Sequence, residues 1–426
     1  MLTLIFLQSV NAFLWPGQIH LSWTENPKEM RVTWLSRLNS DPLVELKSQC
    51  EVNKTINYTI SHVDFGTSTK RMNYVYSAVI QDLEPSCSYE YRVKNGVFSS
   101  DFFNFKGKTY GDESDDSHKV VIFGDLGISQ ASLTCINGLH KYLKENQEIP
   151  AVFHVGDLAY DLFTNEGKVG DDYGDAIQLV ASEYAYMVVP GNHEIKGNYT
   201  HYYNRYIMPK NEANQGLGLF YSLKLGLVKY IFLNTNIFGW ASQEEMDTSI
   251  NWLKSELEDA QKNREKQPWV VLLHHQPLYC AYNESDPNSY KDCVKATPKL
   301  RAYLEEIYYE YKVDFVVQGH VHRYERDSVV YNGTDMSGPY DTLNKHVDPV
   351  APIYVISGNG GNTLGRRDPP VNKEIEWVRS QHIEYGFGAL TCYNSSMLLW
   401  EQFDGSTLEQ IDYVYIEKNS SLVKNY

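Results

Sequence analysis

The feature that most constrains the fold of this 426-residue chain is a series of five short motifs, each directly after a short apolar run. Most of them combine glycine with side chains that bind metal ions. In chain order they are Gly124-Asp125-Leu126-Gly127, Gly156-Asp157-Leu158-Ala159-Tyr160, Gly191-Asn192-His193-Glu194, His274-His275 and Gly319-His320-Val321-His322. Oxygen and imidazole donors scattered in this way, each at a strand-to-loop turn, indicate a two-metal site. Two ions roughly 3.5–4 Å apart hold a phosphoryl group and generate hydroxide near neutral pH.

The apolar runs predict the strands of a layered α/β domain. They are Val120–Phe123, Ala151–Val155, Met187–Val189, Tyr230–Leu233, Val270–Leu273, Phe315–Val317 and Ile353–Ile356. Segments with helical periodicity separate them, and this alternation implies a sheet that binds ligands beyond the carboxyl ends of its strands. All five motifs fall at such ends, so we expect their side chains to converge.

Two of the helical segments carry start signals. Ser242 stands three residues before Glu245, which predicts a capping box. Thr297-Pro298 predicts an N-cap followed by proline at the first helical position. The apolar stripes that follow are Met246, Ile250, Leu253, Leu257 and Ala260 in the first helix, and Leu300, Leu304, Ile307 and Tyr311 in the second.

The first part of the chain has a different hydrophobic pattern. Residues 13–110 contain runs that alternate with a period of two, such as Ile19-x-Leu21-x-Trp23, which is typical of half-buried strands. The pattern predicts a β-sandwich of the fibronectin type III or immunoglobulin kind. The acidic stretch 111–117 predicts a linker, with a cation site as the alternative interpretation. Residues 118–418 then form the α/β domain.

Charge limits the possible partners. Acidic residues outnumber basic ones by 54 to 38, for a formal net charge of -16. This balance argues against nucleic acid or an anionic membrane surface as a partner. No stretch after the N-terminus approaches the ~20 apolar residues of a membrane span, so we expect no transmembrane anchor. An oligomeric state is not indicated.

The N-terminus predicts entry into the secretory pathway. Met1–Leu7 is apolar and leads to the small-residue pattern Val10-Asn11-Ala12, so residues 1–12 are interpreted as a signal peptide, against a disordered or packed N-terminus. Asn-x-Ser/Thr glycosylation sites support this interpretation. They are Asn53, Asn57, Asn198, Asn283, Asn332, Asn394 and Asn419. We therefore expect a secreted or lysosomal glycoprotein.

Six cysteines allow 15 disulfide pairings. Cys280 with Cys293 is a plausible loop staple, and Cys50 with Cys87 a plausible bridge within the first domain. Buried free thiols are the alternative.

The oxygen donors come from three of the motifs. Asp125 and Asp157 each follow a glycine, which lets backbone and ion approach closely; either one alone would more often be a helix N-cap. Asp157 is the candidate bridge between two ions. Tyr160 as a ligand requires a strongly charged cation such as Fe(III), because its phenol ordinarily has a pKa of ~10. Asn192 would bind a divalent ion through its carbonyl.

The histidines divide into ligands and a catalytic candidate. His193, beside Asn192, is placed to donate a hydrogen bond to phosphate or to protonate a leaving group. Only one of His274 and His275 should be a ligand, because neighbours on an extended backbone point to opposite sides. His320 and His322 are two residues apart, so in extended geometry both face one side.

These motifs in this order resemble the purple acid phosphatases of the long, two-domain type, within the metallophosphoesterase superfamily. The resemblance runs from about Pro16 to Gln402. It implies Fe(III) held by Asp125, Asp157, Tyr160 and His322, and a divalent ion (Fe, Zn or Mn) held by Asp157, Asn192, His275 and His320. The family histidine stands two residues before Pro277, which selects His275. The implied activity is hydrolysis of small phosphate monoesters or phosphoproteins by a metal-activated hydroxide.

The chain departs from the plant members in one respect. They carry a histidine pair after the first metal histidine, whereas here no histidine occurs between His275 and His320. The intervening loop offers Tyr282, Glu284, Asp286, Tyr290 and Asp292 instead, so His193 becomes the first choice for the general acid. The segment Gly358-Asn359-Gly360-Gly361-Asn362 is interpreted as either a pocket lining or a structural turn.

Two other functions are alternatives to this one. Phosphodiesterases and phosphoprotein phosphatases of the same superfamily usually have Asp-x-His at the first motif, where this chain has Gly127. An inactive iron-binding or adhesion protein is the alternative from another class, and the complete ligand set argues against it.

Overall fold

A computed structural model describes residues 15–50, 58–68, 71–108, 117–214, 216–282, 290–362 and 375–419 of the chain. The signal peptide predicted at 1–12 and the glycosylation sites Asn53, Asn57 and Asn283 lie outside these residues. So does the predicted linker 111–117, except for its last residue.

The helices are α1 (Gln130–Glu145), α2 (Lys168–Ala181), α3 (Thr200–Arg205), α4 (Ile237–Trp240), α5 (Gln243–Lys262) and α6 (Thr297–Glu310). The first strands are β1 (Gly17–Trp23), β2 (Met30–Ser36), β3 (Pro42–Ser48), β4 (Tyr58–Ser68), β5 (Arg71–Ile80), β6 (Ser88–Asn95), β7 (Phe98–Ser99) and β8 (Phe103–Lys106).

The later strands are β9 (His118–Phe123), β10 (Ala151–His154), β11 (Ala185–Val188), β12 (Tyr221–Leu225), β13 (Val228–Leu233), β14 (Trp269–His274), β15 (Phe315–Gln318), β16 (Tyr324–Tyr331), β17 (Thr334–Asp335), β18 (Lys345–Val347), β19 (Ile353–Ser357), β20 (Val378–His382), β21 (Gly386–Asn394), β22 (Met397–Asp404) and β23 (Gln410–Glu417). Among the described helices, none is long and apolar enough to cross a membrane.

The N-terminal strands form the predicted β-sandwich. One layer contains β1, β2, β5 and β4, and the other contains β3, β6, β7 and β8. Strand β6 alternates strictly between half-buried and buried positions, as the period-two pattern predicts. Trp34 of β2 donates an indole hydrogen bond of 2.7 Å to Asn95 of β6 and so joins the two layers.

Two mixed sheets build the second domain, and the predicted two-part fold is confirmed. One sheet has the order β18-β23-β22-β21-β9-β10-β11-β1-β2-β5-β4, and the other β12-β13-β14-β15-β19-β16-β17, with β20 beside β16. They pack face to face through aromatic side chains: the Phe153 ring lies 5.1 Å from the rings of Tyr230 and Phe232. Within each sheet the strands that lead to the motifs are parallel.

The first sheet is continuous through both domains. Strand β1 of the sandwich pairs in parallel with β11, where Leu21 lies opposite Ala185. Apolar residues of both domains form one buried cluster. The Tyr91 hydroxyl strengthens this seam with a 2.6 Å hydrogen bond to the carbonyl of Ser182. The sandwich is therefore an extension of the sheet that carries several of the motifs.

The predicted helix starts have different outcomes. Ser242 and Glu245 form the capping box at the start of α5. The N-cap prediction for Thr297 is wrong: α6 is entered from a π-helical turn, Tyr290–Ala296, so Thr297 is already helical. Its hydroxyl donates to the carbonyl of Cys293 at 2.7 Å and does not cap an N–H group.

Both predicted disulfides form, Cys50–Cys87 in the sandwich and Cys280–Cys293 in the second domain. The other two cysteines, Cys135 and Cys392, are buried thiols.

Candidate metal centre

The motifs meet between the two sheets, at the carboxyl ends of their parallel strands. Strands β9, β10 and β11 of the eleven-stranded sheet lead to the oxygen donors: Asp125, Asp157, Tyr160 and Asn192. Strands β14 and β15 of the eight-stranded sheet lead to the imidazoles: His275, His320 and His322. One sheet thus contributes oxygen ligands and the other contributes nitrogen ligands.

Three buried side chains form one half of the centre. The Tyr160 hydroxyl lies 2.9 Å from Nε2 of His322 and 3.2 Å from Oδ1 of Asp125. Nε2 of His322 lies 3.4 Å from the same carboxylate oxygen. Bond lengths of about 2.0–2.2 Å to a common ion separate neighbouring ligand atoms by roughly 3 Å. The spacing of these atoms therefore fits a shared cation.

The other half is built around the Asn192 carbonyl oxygen. This oxygen lies 3.1 Å from Nε2 of His275 and 2.8 Å from Nδ1 of His320. Nε2 of His275 is in turn 3.2 Å from Oδ1 of Asp157. Amide oxygen, carboxylate and imidazole are ligands suited to Zn, Fe or Mn.

Asp157 belongs to both halves. Ligand atoms of Asp157, His275 and His320 lie within 4.8 Å of one another, and the same holds for Asp125, Asp157 and His322. A carboxylate that belongs to both groups has the position of a bridge between two ions. The structure therefore brings together all the residues that the motifs predict as ligands.

The backbone at the motifs adopts unusual conformations that orient these side chains towards one another. Asp125, Asp157, Tyr160 and His320 have φ values of 64°, 58°, 58° and 71°, in the left-handed region. Such conformations cost of order 1–3 kcal/mol and persist at functional sites because surrounding contacts enforce them. Gly191 is required for a different reason, since a Cβ there would lie 2.2 Å from Oδ1 of Asp157.

The site has a strongly negative potential. Burial alone would lower the pKa of His275, yet the carboxylates of Asp157 and Asp125 raise it to about 10. Burial, followed by the nearby Asp125 and Asp157 charges, raises the pKa of the Tyr160 phenol well above its ordinary value. The carboxylates of the cluster therefore attract cations.

Glu194 is a supporting residue that the sequence did not reveal, although it lies within the third motif. Its buried carboxylate accepts backbone N–H bonds from Asp157 and Leu158, both at 2.9 Å, and from Gly191 at 2.7 Å. Burial and the neighbouring Asp157 charge raise the pKa of Glu194 to about 8. The side chain ties the second and third motifs together and so fixes the distance between Asp157 and Asn192.

His193 lies beside the centre with its side chain 22% exposed. Its Nδ1 is 3.0 Å from Oδ1 of Asp161, and its Nε2 is 3.9 Å from Oδ2 of Asp157. Sequence reasoning missed Asp161, although a carboxylate directly after Tyr160 was the available signal. Asp161 accepts from Nδ1–H in this arrangement, which directs the other ring nitrogen of His193 towards the metal cluster.

Other sequence candidates take positions around this core. His274 is buried on the opposite side of its strand, with Nδ1 2.9 Å from the Gln276 carbonyl and its ring 6.1 Å from that of Tyr308. Gly358 lies against Asp125, because a Cβ there would be 2.9 Å from Oδ2. Glu284 and Asp286 lie outside the described residues.

Of the glycosylation sites within the described ranges, Asn198, Asn332 and Asn419 are exposed and Asn394 is partly exposed. These positions are accessible to modification.

Three family models match successive parts of the chain. The purple acid phosphatase N-terminal domain matches residues 16–107, the calcineurin-like phosphoesterase family matches 118–324, and the iron/zinc purple acid phosphatase-like protein C family matches 351–413. Together they follow the order sandwich, metal-binding domain and C-terminal strands.

Relatives match along nearly the whole chain. Acid phosphatase type 7 of Danio rerio is 29% identical over 422 residues, which cover 94% of this chain and 91% of the fish protein. Probable purple acid phosphatase 20 of Arabidopsis thaliana is 28% identical, covering 95% of this chain and 87% of the plant protein. A purple acid phosphatase from yellow lupin (Lupinus luteus) seeds has a similar fold, with a TM-score of 0.81 and 22% identity over 96% of this chain and 76% of that one.

Proposed function

Because the chain belongs to the purple acid phosphatase family, we propose that it hydrolyses phosphate monoesters at acid pH, at a dinuclear metal centre between its two sheets. The observation that carries this proposal is the position of Asp157 within two overlapping groups of potential ligand atoms. Separate mononuclear sites would not require a shared carboxylate.

The chemistry of the donors supports a different ion in each half. Asp125, Tyr160 and His322, with the shared Asp157, would hold Fe(III), since carboxylate and phenolate are hard anionic donors. Asn192, His275 and His320, with the same Asp157, are neutral apart from the bridge and would hold a divalent Fe, Zn or Mn ion. When bound, the two ions supply charge neutralisation of the phosphate and a nucleophile derived from water at acid pH.

The open side of the proposed centre indicates how substrate approaches. Asp125, Asp157 and His275 are fully or almost fully buried, whereas Asn192, His193 and His320 are partly exposed. A phosphate ester would therefore enter past these three residues. The partial exposure of His193 lets its Nε2 contact either a phosphate oxygen or the leaving oxygen.

His193 has the partners that a general acid needs. Asp161, 3.0 Å from Nδ1, accepts a hydrogen bond from this nitrogen and holds the ring in place. The His193 backbone N–H also donates to Oδ1 of Asp157 at 3.0 Å, so backbone and ring are both fixed relative to the bridge. We assign His193 to donate the proton that the departing alcohol takes up, and Asp161 to position it.

We infer the compartment from the disulfides and the sequence signals. Two disulfides are typical of proteins from an oxidising compartment. Together with the N-terminal apolar segment and the exposed Asn-x-Ser/Thr sites, they support a secreted or lysosomal glycoprotein. Small phosphate monoesters and phosphoproteins are both substrates of the right chemical class.

The decisive experiment combines metal analysis, an absorption spectrum and an assay. The purified full chain should contain iron with a second metal, be purple to pink, and hydrolyse p-nitrophenyl phosphate at acid pH. Tyr160→Phe removes the phenolate donor, so it should abolish the visible band while the protein remains folded. A band that survives in Tyr160→Phe would remove Tyr160 from the proposed ligands, and a wild-type protein without bound metal or activity would overturn the proposed function.

A further inference from the structure

A small buried cluster packs against the His320–His322 turn. Cys280 and Cys293, joined by a disulfide, pack together with Val321 and Ile356 in this cluster. All four are at most 6% exposed. Val321 stands between the two histidines proposed as ligands of different ions. The disulfide therefore packs in the same cluster as the residue that joins them.

A buried ion pair fastens the same loop to the residues after His322. Glu325 accepts the Ala281 backbone N–H at 2.7 Å. Its other oxygen accepts from Arg323, at 3.1 and 2.7 Å, and from the Gln381 amide at 2.7 Å. Arg323 also donates to the Ala281 carbonyl. Both backbone groups of Ala281, the neighbour of Cys280, are thus held by residues that follow the histidines.

The turn depends on such support. His320 has a φ of 71°, which a side-chain-bearing residue adopts only when its surroundings enforce it. Within the turn, Val321 N–H donates to the Gly319 carbonyl at 2.8 Å, and Arg323 N–H to the Val321 carbonyl at 2.7 Å. These short-range bonds leave the orientation of the turn relative to the oxygen-donating sheet to its outer contacts. One outer contact joins the turn to that sheet directly, the 2.8 Å hydrogen bond from the His320 N–H to Oδ2 of Asp125. The disulfide cluster and the Glu325–Arg323 pair provide further contacts on the other side of the turn's backbone.

We propose that Cys280, Ala281, Cys293 and Glu325 form a clamp, here called the disulfide clamp, that positions His320 and His322 for metal binding. The inference rests on the proposed function, because it assigns a task to these residues only if the histidines hold metal. The clamp residues are positioning residues and contact neither ion. Residues that orient ligands in this way typically change metal affinity by about 10–100-fold when altered.

The chain contains a matched control for this proposal. Cys50–Cys87 is a second disulfide, located in the N-terminal sandwich away from the motifs. The test compares Zn²⁺ affinity in the full-length wild type, Cys280→Ala/Cys293→Ala and Cys50→Ala/Cys87→Ala, by competition with a chelator of known affinity. Thermal unfolding of each metal-free protein reports any general loss of stability. Substitution is preferred to thiol reductants, which would also reduce a ferric ion.

The expected result is about 10–100-fold weaker Zn²⁺ binding in Cys280→Ala/Cys293→Ala and unchanged binding in the sandwich variant. Equal affinity in the wild type and the clamp variant would overturn the clamp, and so would equal losses in both disulfide variants. A second variant, Glu325→Gln, keeps an acceptor for Ala281 but removes the charge facing Arg323, and should weaken Zn²⁺ binding about tenfold.

If the double cysteine variant does not fold, the Glu325→Gln variant tests the clamp instead. Unchanged Zn²⁺ affinity in Glu325→Gln would also overturn the clamp. A wild-type chain that binds no Zn²⁺ would instead overturn the proposed function, and the clamp with it. If only the clamp proposal is wrong, the wild type still binds Zn²⁺ and the variants bind it equally well. The two failures are therefore distinguishable.

Discussion

The two sheets that meet at the proposed metal centre contribute unlike halves. The eleven-stranded sheet supplies Asp125, Asp157, Tyr160 and Asn192, all oxygen donors, on loops tied together by Glu194. The eight-stranded sheet supplies the imidazole donors, and a disulfide and an ion pair support the turn that carries two of them. The oxygen side carries the negative charge, and the imidazole side carries ligands that are neutral when they bind a metal.

Because of this difference, neither sheet alone could hold the two proposed ions. Each proposed ion takes ligands from both sheets, so the ions would join the sheets across their packed faces. The oxygen side is also continuous with the N-terminal sandwich through β1 and β11, whereas the imidazole side has no such extension among the described strands. We expect a change at Asp157 to affect binding of both ions and a change at His193, which is not a proposed ligand, to affect turnover alone.

The largest expected effect is that of Asp157→Asn on the oxygen side. The amide keeps the shape of the side chain but removes the charge that both ions would share. We expect loss of metal and a fall in turnover of about 10³-fold or more, because the ions contribute several kcal/mol of charge stabilisation. Elemental analysis and p-nitrophenyl phosphate kinetics measure both.

The matched control for this change is Asp172→Asn, which removes an exposed ion pair with Lys168 and should alter neither metal content nor turnover. Full metal content in Asp157→Asn would mean that Asp157 is not the bridge.

His193→Ala separates the rim from the ligands. Loss of a general acid should lower kcat by about 10²-fold or more with metal content unchanged. The loss should be greater for an alkyl phosphate than for p-nitrophenyl phosphate, since an alkoxide needs a proton more than nitrophenolate does. Asp161→Asn should give a smaller loss of kcat, because the His193 imidazole stays in place and loses only the partner that positions it. Loss of metal from His193→Ala would instead indicate that His193 is a metal ligand.

The smallest expected effect is a change in the stability of the protein at acid pH. It arises at His20 on β1, the strand that joins the sandwich to the oxygen side. Burial lowers the pKa of His20 to about 4, against the raising effect of backbone groups of Gln18 and Arg205, and the Arg205 charge lowers it slightly further. The unfolded chain binds this proton near pH 6.5. Stability should therefore be intact above pH 6.5 and decline by up to about 3 kcal/mol as the pH falls to 4.

The variant His20→Phe keeps a ring against Tyr206, 5.1 Å away, but cannot take up the proton. Urea unfolding at pH 4.5 and pH 7 should show a shallower acid decline in His20→Phe than in the wild type. Parallel declines would show that another group is responsible. Turnover at the pH optimum should be unchanged, because His20 lies on β1 and contacts none of the proposed ligands in the described structure.

Much of the fold could be read from local patterns. Period-two alternation predicted the sandwich, and apolar runs followed by glycine and a donor predicted where strands end. The capping box at Ser242 was predictable because both partners lie within one helical turn. The role of Thr297 was not predictable, since it depends on the π-helical turn before this residue. Continuity of β1 with β11 was also not predictable, because an apolar pattern specifies a buried face and not the neighbouring strand.

By itself, the sequence determined which side chains are available as ligands and that each stands at the end of a strand, because residue type and strand periodicity are local properties. The tertiary structure alone decided that oxygen donors come from one sheet and imidazoles from the other, and that Asp161, Glu194 and Glu325 support them. Those relations join residues distant along the chain. They depend on the packing of two sheets, which no local pattern of residues encodes.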